Sequence, residues 1–269
     1  MTSPFQRYLG LLGLDRSLSG LDGLRTLVAR HLERVPFENI SKLLLYDREH
    51  AGRALTLEEF LDGVEYQDLG GTCHATNPFF AALLRELGYD ADLLGADMGP
   101  PNVHMAIRVR LDSFAYHVDV GFAAPFREPI RLDSIPTKIA EGGNRYVFDR
   151  DPGGAGFRMS MFTGAGSRLD YVAHDPPRAP EFFRQIVTDS YAPVSWFMQR
   201  LRISRIFAGY SVDLIDKTLH RHEAGKTVVT ELRNMPELRA AVRDELEMPR
   251  CPVEAAVKIL ERLTGKPVF

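Results

Sequence analysis

The chain has 269 residues, with 33 basic and 36 acidic side chains and a formal charge of −3. Hydrophobic residues account for 45% and charged residues for 26%, values that exclude intrinsic disorder for most of the chain. Because the sequence has no lysine/arginine run and no apolar run of ~18–20 residues, we expect neither a nucleic-acid partner nor a membrane span.

The two cysteines, Cys73 and Cys251, are too few for a disulfide framework. The first residues contain no basic segment that leads into an apolar stretch, so we expect no cleaved signal and a cytoplasmic location. Cys251 lies between Arg250 and Pro252 with no neighbouring base, which favours a buried or surface thiol without chemistry.

Residues 1–87 have apolar side chains at three- and four-residue spacing, which predicts helices. Thr56 and Glu59 have the spacing of a capping box, which predicts that a helix begins there. Asn77 followed by Pro78 predicts another helix start, with an N-cap and a proline at the first helical position.

The pattern then changes to a period of two, which predicts β structure. Residues 103–111 and 114–122 are expected to form two strands, joined by a turn at Asp112 and Ser113. In this hairpin His104 is expected on the polar face of the first strand, and Asp119 on one face of the second.

The rest of the chain is predicted to contain strands with turns, followed by helices. Residues 140–175 are rich in glycine and proline between short strand-like pieces, and 200–233 also resemble strands. Residues 236–246 and 252–263 are expected to form two closing helices. The expected order is a helical front, a β middle and a mixed end.

Cys73 is the first candidate for chemistry, because it follows two glycines and precedes a helix. A thiol is a useful nucleophile only as a thiolate, and a helix start favours negative charge. The glycines permit close approach by a substrate, and the helix amides can hold an oxyanion.

An imidazole and a carboxylate to activate this thiol would come from the hairpin, as His104 and Asp119. His74 and His117 compete for the role of base, although His74 adjoins the cysteine in sequence, where side chains point apart. The alternative of a metal site built from the same cysteine and histidines lacks ligand spacing, and no metal is expected.

Several segments resemble the arylamine N-acetyltransferase family, in the order in which that family has them. They contain the motifs V-P-F-E-N, G-G-x-C and D-V-G-F, of which the last two carry the family's catalytic cysteine and aspartate. The matching segments are residues 5–14, 31–40, 70–73 with Asn77, 103–105, 118–122 and 190–197.

The resemblance implies an α+β fold with a cysteine-protease-like Cys-His-Asp core. Its three domains would be a helical bundle at 1–88, a β-barrel at 89–198 and an α/β lid at 199–269. Cys73, His104 and Asp119 would be the catalytic residues, and Phe37 and Phe122 would line the substrate pocket.

The chemistry that the resemblance implies is ping-pong acyl transfer. Acetyl-CoA or another acyl-CoA would acylate Cys73, and an arylamine, hydrazine or hydroxylamine nitrogen would then accept the acyl group. No permanently bound cofactor is expected, and the sequence predicts no particular oligomeric state.

Two departures from the family pattern leave alternatives open. Leu69 replaces the family arginine and Ala75 the family glutamate, so the retained Glu38 needs Arg34, Arg85, another donor or solvent. The alternatives are an amide synthase that uses carrier-protein thioesters, a thiol hydrolase or amidase, and a non-catalytic binding protein.

Overall fold

A computed structural model describes residues 3–123, 126–154, 156–163, 166 and 168–269 of the chain. The helices are α1 (Pro4–Leu11), α2 (Gly20–Arg34), α3 (Ile40–Glu49), α4 (Leu57–Gln67), α5 (Cys73–Glu86), α6 (Arg184–Asp189), α7 (Met235–Asp244) and α8 (Val253–Thr264). None of these helices is long and apolar enough to cross a membrane.

The strands form two antiparallel sheets within the described ranges. They are β1 (Phe37–Glu38), β2 (Asp90–Asp97), β3 (His104–Leu111), β4 (Phe114–Val118), β5 (Ile130–Arg131), β6 (Thr137–Glu141), β7 (Asn144–Arg150), β8 (Gly156–Phe162), β9 (Arg168–His174), β10 (Arg202–Phe207), β11 (Tyr210–Ile215), β12 (Thr218–Glu223) and β13 (Lys226–Glu231). One sheet has the order β1-β10-β11-β12-β13, and the other has the order β5-β4-β3-β2-β9-β8-β7-β6.

The helical front follows the predicted pattern. The Thr56 hydroxyl accepts a hydrogen bond from the Glu59 amide, and the Glu59 carboxylate accepts one from the Thr56 amide, so the predicted capping box begins α4. Apolar residues of α1 to α5 are buried in one core with strands of both sheets. This core supports the start of α5, where Cys73 lies.

The predicted hairpin forms, but its second strand is shorter than expected. Leu111 pairs with Phe114 across a two-residue turn, and Asp112 adopts a positive φ of 53° there. The strand ends at Val118, because the Asp119 carboxylate binds side-chain and loop amides. The prediction of a strand over 114–122 was therefore wrong beyond Val118.

The eight-stranded sheet curls into a half-barrel whose edges are β5 and β6, instead of a closed barrel. A second apolar cluster, which includes Phe126, Tyr146 and Phe148, fills the curl. Residues 190–197, which the resemblance placed in the barrel, form turns and part of a 3₁₀ helix. This segment packs beside the start of α5, where Ser190 Oγ lies 3.4 Å from His74 Nδ1.

The smaller sheet joins the front of the chain to its end. Phe37 of β1 pairs with Ser204 of β10, and it also forms a bridge with Gly71. The Asn39 side chain accepts from the Arg202 amide and so extends this contact. The helices α7 and α8 close the end of the chain, as predicted, while the domain boundaries at residues 88 and 198 stay predictions.

Candidate active site

Cys73 is the first residue of α5, and its side chain is buried. The Thr72 carbonyl accepts from the amides of Ala75 and Thr76, which starts the helix at the cysteine. The first amides of a helix have no intrahelical acceptor, so they point towards the space in front of Cys73. This end of α5 therefore favours an anion near the thiol.

The prediction that a helix begins at Asn77 and Pro78 was wrong, since both lie inside α5. Pro78 is still close to the helix start, where its missing amide removes a single intrahelical hydrogen bond. The Asn77 side chain reaches across to the hairpin, where its Nδ2 donates to the Met105 carbonyl at 2.6 Å and to Asp119 Oδ1 at 2.9 Å.

His104 and Asp119 lie side by side, as expected from the predicted hairpin. His104 Nε2 lies 2.7 Å from Asp119 Oδ2, and both side chains are almost completely buried. The prediction of a polar strand face at His104 was wrong, since only the far end of β3 alternates towards solvent. Because Asp119 occupies Nε2, the other ring nitrogen, Nδ1, is left for Cys73.

Asp119 collects hydrogen bonds on both carboxylate oxygens. Its Oδ1 accepts from Asn77 Nδ2 and, at 3.0 Å, from the Gly121 amide. Its Oδ2 accepts from His104 and from the Tyr171 hydroxyl at 3.0 Å. Four donors on one buried carboxylate keep it ionised and fix the plane of the His104 ring.

The loop after β4 packs directly against the nucleophile. A Cβ at Gly121 would lie 2.6 Å from the Cys73 Cα and 2.6 Å from Thr76 Oγ1. Only glycine permits this contact between the two backbones. The hairpin and α5 are thereby held at a fixed separation.

The charges of these groups support one another. Burial opposes the thiolate, but the charges of His74 and His104 and their hydrogen bonds bring the pKa of Cys73 well below its ordinary value. Burial likewise opposes the imidazolium, but Asp119 and Cys73 raise the pKa of His104 to about 10. The favoured state at neutral pH is a thiolate beside an imidazolium.

The other histidines near the site have polar partners of their own. His74 Nε2 lies 3.0 Å from the Val103 carbonyl and its Nδ1 lies 3.4 Å from Ser190 Oγ, so the expectation that its side chain points away from the thiol stays a prediction. His117 lies behind the site, with Nε2 2.7 Å from the Tyr171 hydroxyl, and burial lowers its pKa to about 4. His117 therefore stays neutral and supports Tyr171.

Glu38 obtains its hydrogen bonds from the backbone. Its Oε2 accepts from the Ser41 amide at 2.8 Å, and its Oε1 accepts from the Gly70 amide at 3.1 Å. The side chain is fully buried, and burial raises its pKa despite these donors. Among the partners expected for Glu38, the structure therefore shows other donors, the two backbone amides. Leu69, which replaces the family arginine, packs in the apolar core.

The two aromatic residues proposed for the pocket are both near the triad. Phe122 has its ring centroid 5.8 Å from that of His104 and 5.5 Å from that of Tyr171. Phe37 is 5.8 Å from Phe197, and its backbone bridges to Gly71, two residues before the cysteine. Both rings are almost completely buried, so their role towards a substrate stays a prediction.

Tyr171 and Lys42 are site neighbours that sequence reasoning missed. Tyr171 comes from β9, far along the chain, and no motif marks it. Lys42 is 5% exposed. The sequence feature that could have identified it is a lysine within the apolar run of α3. A buried lysine needs a compensating contact, so such a position predicts a polar neighbour even where the neighbour is unknown.

The sequence of the chain is similar to those of known N-acetyltransferases. A family model described as N-acetyltransferase matches residues 20–249. The arylamine N-acetyltransferase of Escherichia coli is 35% identical over 81% of this chain and 78% of its own length. The match to a pineal gland isozyme of arylamine N-acetyltransferase from Gallus gallus is 29% identical over 48% of this chain and spans about half (47%) of that relative.

Solved structures extend the likeness to nearly the whole chain. The arylamine N-acetyltransferase from Mycobacterium abscessus has a TM-score of 0.82 at 25% identity, over 97% of this chain and 95% of that one. The Mycobacterium marinum enzyme in complex with CoA also has a TM-score of 0.82, at 22% identity, over 98% of this chain and 100% of that one. The second likeness concerns the fold alone.

Proposed function

Since this chain belongs to the arylamine N-acetyltransferase family, we propose that it transfers an acyl group from acyl-CoA through Cys73 to an amine. The acceptor is an arylamine, hydrazine or hydroxylamine nitrogen. The observation that carries the proposal is the 2.7 Å contact of His104 with Asp119 beside a thiol whose pKa is lowered. Cys73 is the nucleophile, His104 the base and acid, and Asp119 its orienting partner.

In the first half-reaction the Cys73 thiolate attacks the thioester carbonyl of acyl-CoA. The C–S bond to CoA breaks after the new C–S bond to Cys73 has formed, and the imidazolium of His104 gives its proton to the departing CoA thiolate. The first amides of α5 lie where the negative oxygen of the intermediate develops, and their donors stabilise it.

In the second half-reaction the amine nitrogen attacks the acyl-Cys73 thioester. His104, now neutral, removes the proton of the nitrogen, and the cysteine leaves as a thiolate. Asp119 favours the imidazolium that forms and keeps the Nε2 hydrogen directed at itself. The site thereby returns to its starting thiolate and imidazolium state.

The aromatic rings of Phe37 and Phe122 are proposed to line the acceptor pocket. Flat aromatic amines match aromatic side chains in shape, and edge-to-face contacts favour their stacking. A carrier-protein thioester is the alternative donor to acyl-CoA. We also propose a cytoplasmic setting, because a reducing compartment keeps the thiols of Cys73 and Cys251 free.

The test is the intact mass of the protein after brief incubation with acetyl-CoA and longer acyl-CoAs, without an acceptor. We expect a mass gain equal to one acyl group, lost in Cys73→Ala and kept in Cys251→Ala. Addition of an arylamine should remove the adduct and release the acylated amine.

An adduct that survives Cys73→Ala would overturn the assignment of the nucleophile. Release of free CoA with no adduct and no acylated amine would favour hydrolysis. The absence of both CoA release and an adduct would refute acyl-CoA as the donor and direct attention to carrier-protein thioesters.

A further inference from the structure

Lys42 is a buried cation near the nucleophile with an unusual set of partners. Its Nζ donates to Ser190 Oγ at 2.5 Å and lies 3.5 Å from the ring centroid of Tyr191. In the described part of the chain, no carboxylate lies within ion-pair distance of it. The neighbouring cation, Arg53, is already paired with Glu49 and Glu59.

Ser190 connects this lysine to the imidazole beside Cys73. Its hydroxyl donates to the Val187 carbonyl at 2.5 Å, so its oxygen accepts from Lys42. The same oxygen lies 3.4 Å from His74 Nδ1. The other His74 nitrogen, Nε2, lies 3.0 Å from the Val103 carbonyl and carries a hydrogen, since a carbonyl oxygen only accepts.

These contacts form a chain from Lys42 through Ser190 to His74, the residue that follows Cys73. The chain shares no residue with the pair formed by His104 and Asp119. Its last member, His74, adjoins the nucleophile in the chain and acts to lower the pKa of Cys73. The nucleophile therefore has two sets of polar neighbours, and only one of them contains a carboxylate.

The volume of the cavity beside Lys42 limits which groups the ammonium can bind. A cavity of about 20 Å³ lies among Lys42, Thr72, His74 and Tyr191, with room for about one water molecule. This volume is too small for a substrate group, so the lysine is not placed to bind a substrate carboxylate. The anion whose charge acts on the Lys42 ammonium is the thiolate of Cys73.

We propose that Lys42, Ser190 and His74 form a second positioning network, which holds Cys73 in its thiolate state independently of Asp119. The proposal rests on the proposed function, because it assumes that Cys73 is the nucleophile. Lys42 supplies a positive charge, Ser190 holds the ammonium in place, and His74, adjacent to Cys73 in the chain, connects the pair to the nucleophile. The residues act through Cys73 and do not touch the reacting acyl group.

The interaction between the charges of Lys42 and Cys73 supports the proposed stabilisation of the thiolate. Burial lowers the pKa of Lys42 to about 7, while the charge of Cys73 acts to raise it. Because the interaction between two charges is mutual, the ammonium must favour the thiolate by the same amount. The lysine therefore keeps its proton best when Cys73 is ionised.

The experiment follows the rate at which iodoacetamide alkylates Cys73 as pH is varied, with the modified peptide identified by mass so that Cys251 is not counted. Lys42→Met removes the charge and keeps an apolar stem of similar length. We expect its alkylation profile to move to higher pH, so that the rate on the rising part of the profile falls about threefold to tenfold. Lys42→Arg should retain most of the rate.

Two further variants separate a network from general damage. Ser190→Ala should slow alkylation in the same direction, and the double variant with Lys42→Met should be no slower than the slower single variant, because both act through one chain. Lys258→Met removes an exposed lysine of α8 and should leave the rate unchanged. Thermal unfolding should show that Lys42→Met folds at least as stably as the parent, since a buried charge is removed.

An unchanged alkylation profile in a folded Lys42→Met would overturn the proposal, and so would an equal decrease in Lys258→Met. Additive decreases in the double variant would also overturn it. The adduct with acetyl-CoA is measured separately. If the parent protein forms no adduct, the proposed function fails, whereas the alkylation profiles still decide whether the network acts on the thiolate.

Discussion

Asp119→Asn is the substitution for which the hydrogen bonds define the outcome most closely. The two donors at Oδ1 of the aspartate, Asn77 Nδ2 and the Gly121 amide, cannot become acceptors, whereas His104 Nε2 and the Tyr171 hydroxyl at Oδ2 can. The amide oxygen of an asparagine must therefore occupy the position of Oδ1. Its NH₂ group is then placed at the position of Oδ2, facing His104 Nε2 at 2.7 Å.

A donor at this position reverses the tautomer of His104. Its Nε2 must accept, so the ring hydrogen moves to Nδ1, the nitrogen that faces Cys73. That nitrogen can then no longer take a proton, and the negative charge that stabilises the imidazolium is gone. We expect acylation of Cys73 to slow by about 10³- to 10⁴-fold, or about 4–5.5 kcal/mol in activation free energy.

The assay has two readouts. Rapid mixing with acyl-CoA gives the rate of adduct formation on Cys73, and ultraviolet absorbance of the thiolate gives its titration. The substitution should lower the pKa of His104 and raise the pKa of Cys73, because each loses a favourable charge. Asp133→Asn, which removes an exposed carboxylate, serves as the matched control.

An acylation rate within tenfold of the parent would refute this reasoning, provided that thermal unfolding shows a folded protein. A large decrease in rate with an unchanged thiolate titration would also contradict it. In that case the loss could not be attributed to the tautomer and the charge of His104.

Three further predictions concern the packing and charges around the site. Gly121→Ala should lower activity by at least about tenfold and reduce the melting temperature, because its Cβ would lie 2.6 Å from the Cys73 Cα. Glu38→Gln should cost about 1–3 kcal/mol in urea unfolding, because its NH₂ group must face a backbone donor. Burial lowers the pKa of His31 to about 3 and that of His117 to about 4. Burial of each neutral imidazole therefore stabilises the fold above pH 6.5, the ordinary pKa of histidine, and this stabilisation is lost as pH falls. Unfolding free energy should fall below pH 6.5 by about 1.4 kcal/mol per pH unit for each histidine, and His31→Gln should reduce the slope.

Local patterns predicted the elements whose causes are local. The capping box of Thr56 and Glu59 and the turn at Asp112 depend on residues within three positions of one another. The helix start at Asn77 was wrongly predicted, because its N-cap signal is local whereas its side-chain amide donates to Asp119, which is distant in sequence. The end of the second hairpin strand was missed for the same reason, since the partners of Asp119 are set by packing.

The position of the candidate triad was predictable because its motifs lie in a recognisable order and a short hairpin joins two of its members. The residues that contact the triad and its neighbours from distant parts of the chain were not predictable. Tyr171 and Ser190 contact the site from 52 and 116 residues away in sequence, so no spacing links them to it. The contribution of His74 also depends on which way α5 turns its first residues, which adjacency in sequence does not reveal.

The pairing of β1 with β10 has a consequence for synthesis of the protein. Phe37 connects the loop of Gly71 to Ser204, so the strand that completes the surroundings of the nucleophile is translated long after Cys73 itself. At about 5–20 residues per second, the nascent chain carries Cys73 for about 7–26 seconds before that strand leaves the ribosome. During this interval the thiol lacks the enclosure of the finished fold, and a ribosome stalled before β10 would present it to oxidants and electrophiles.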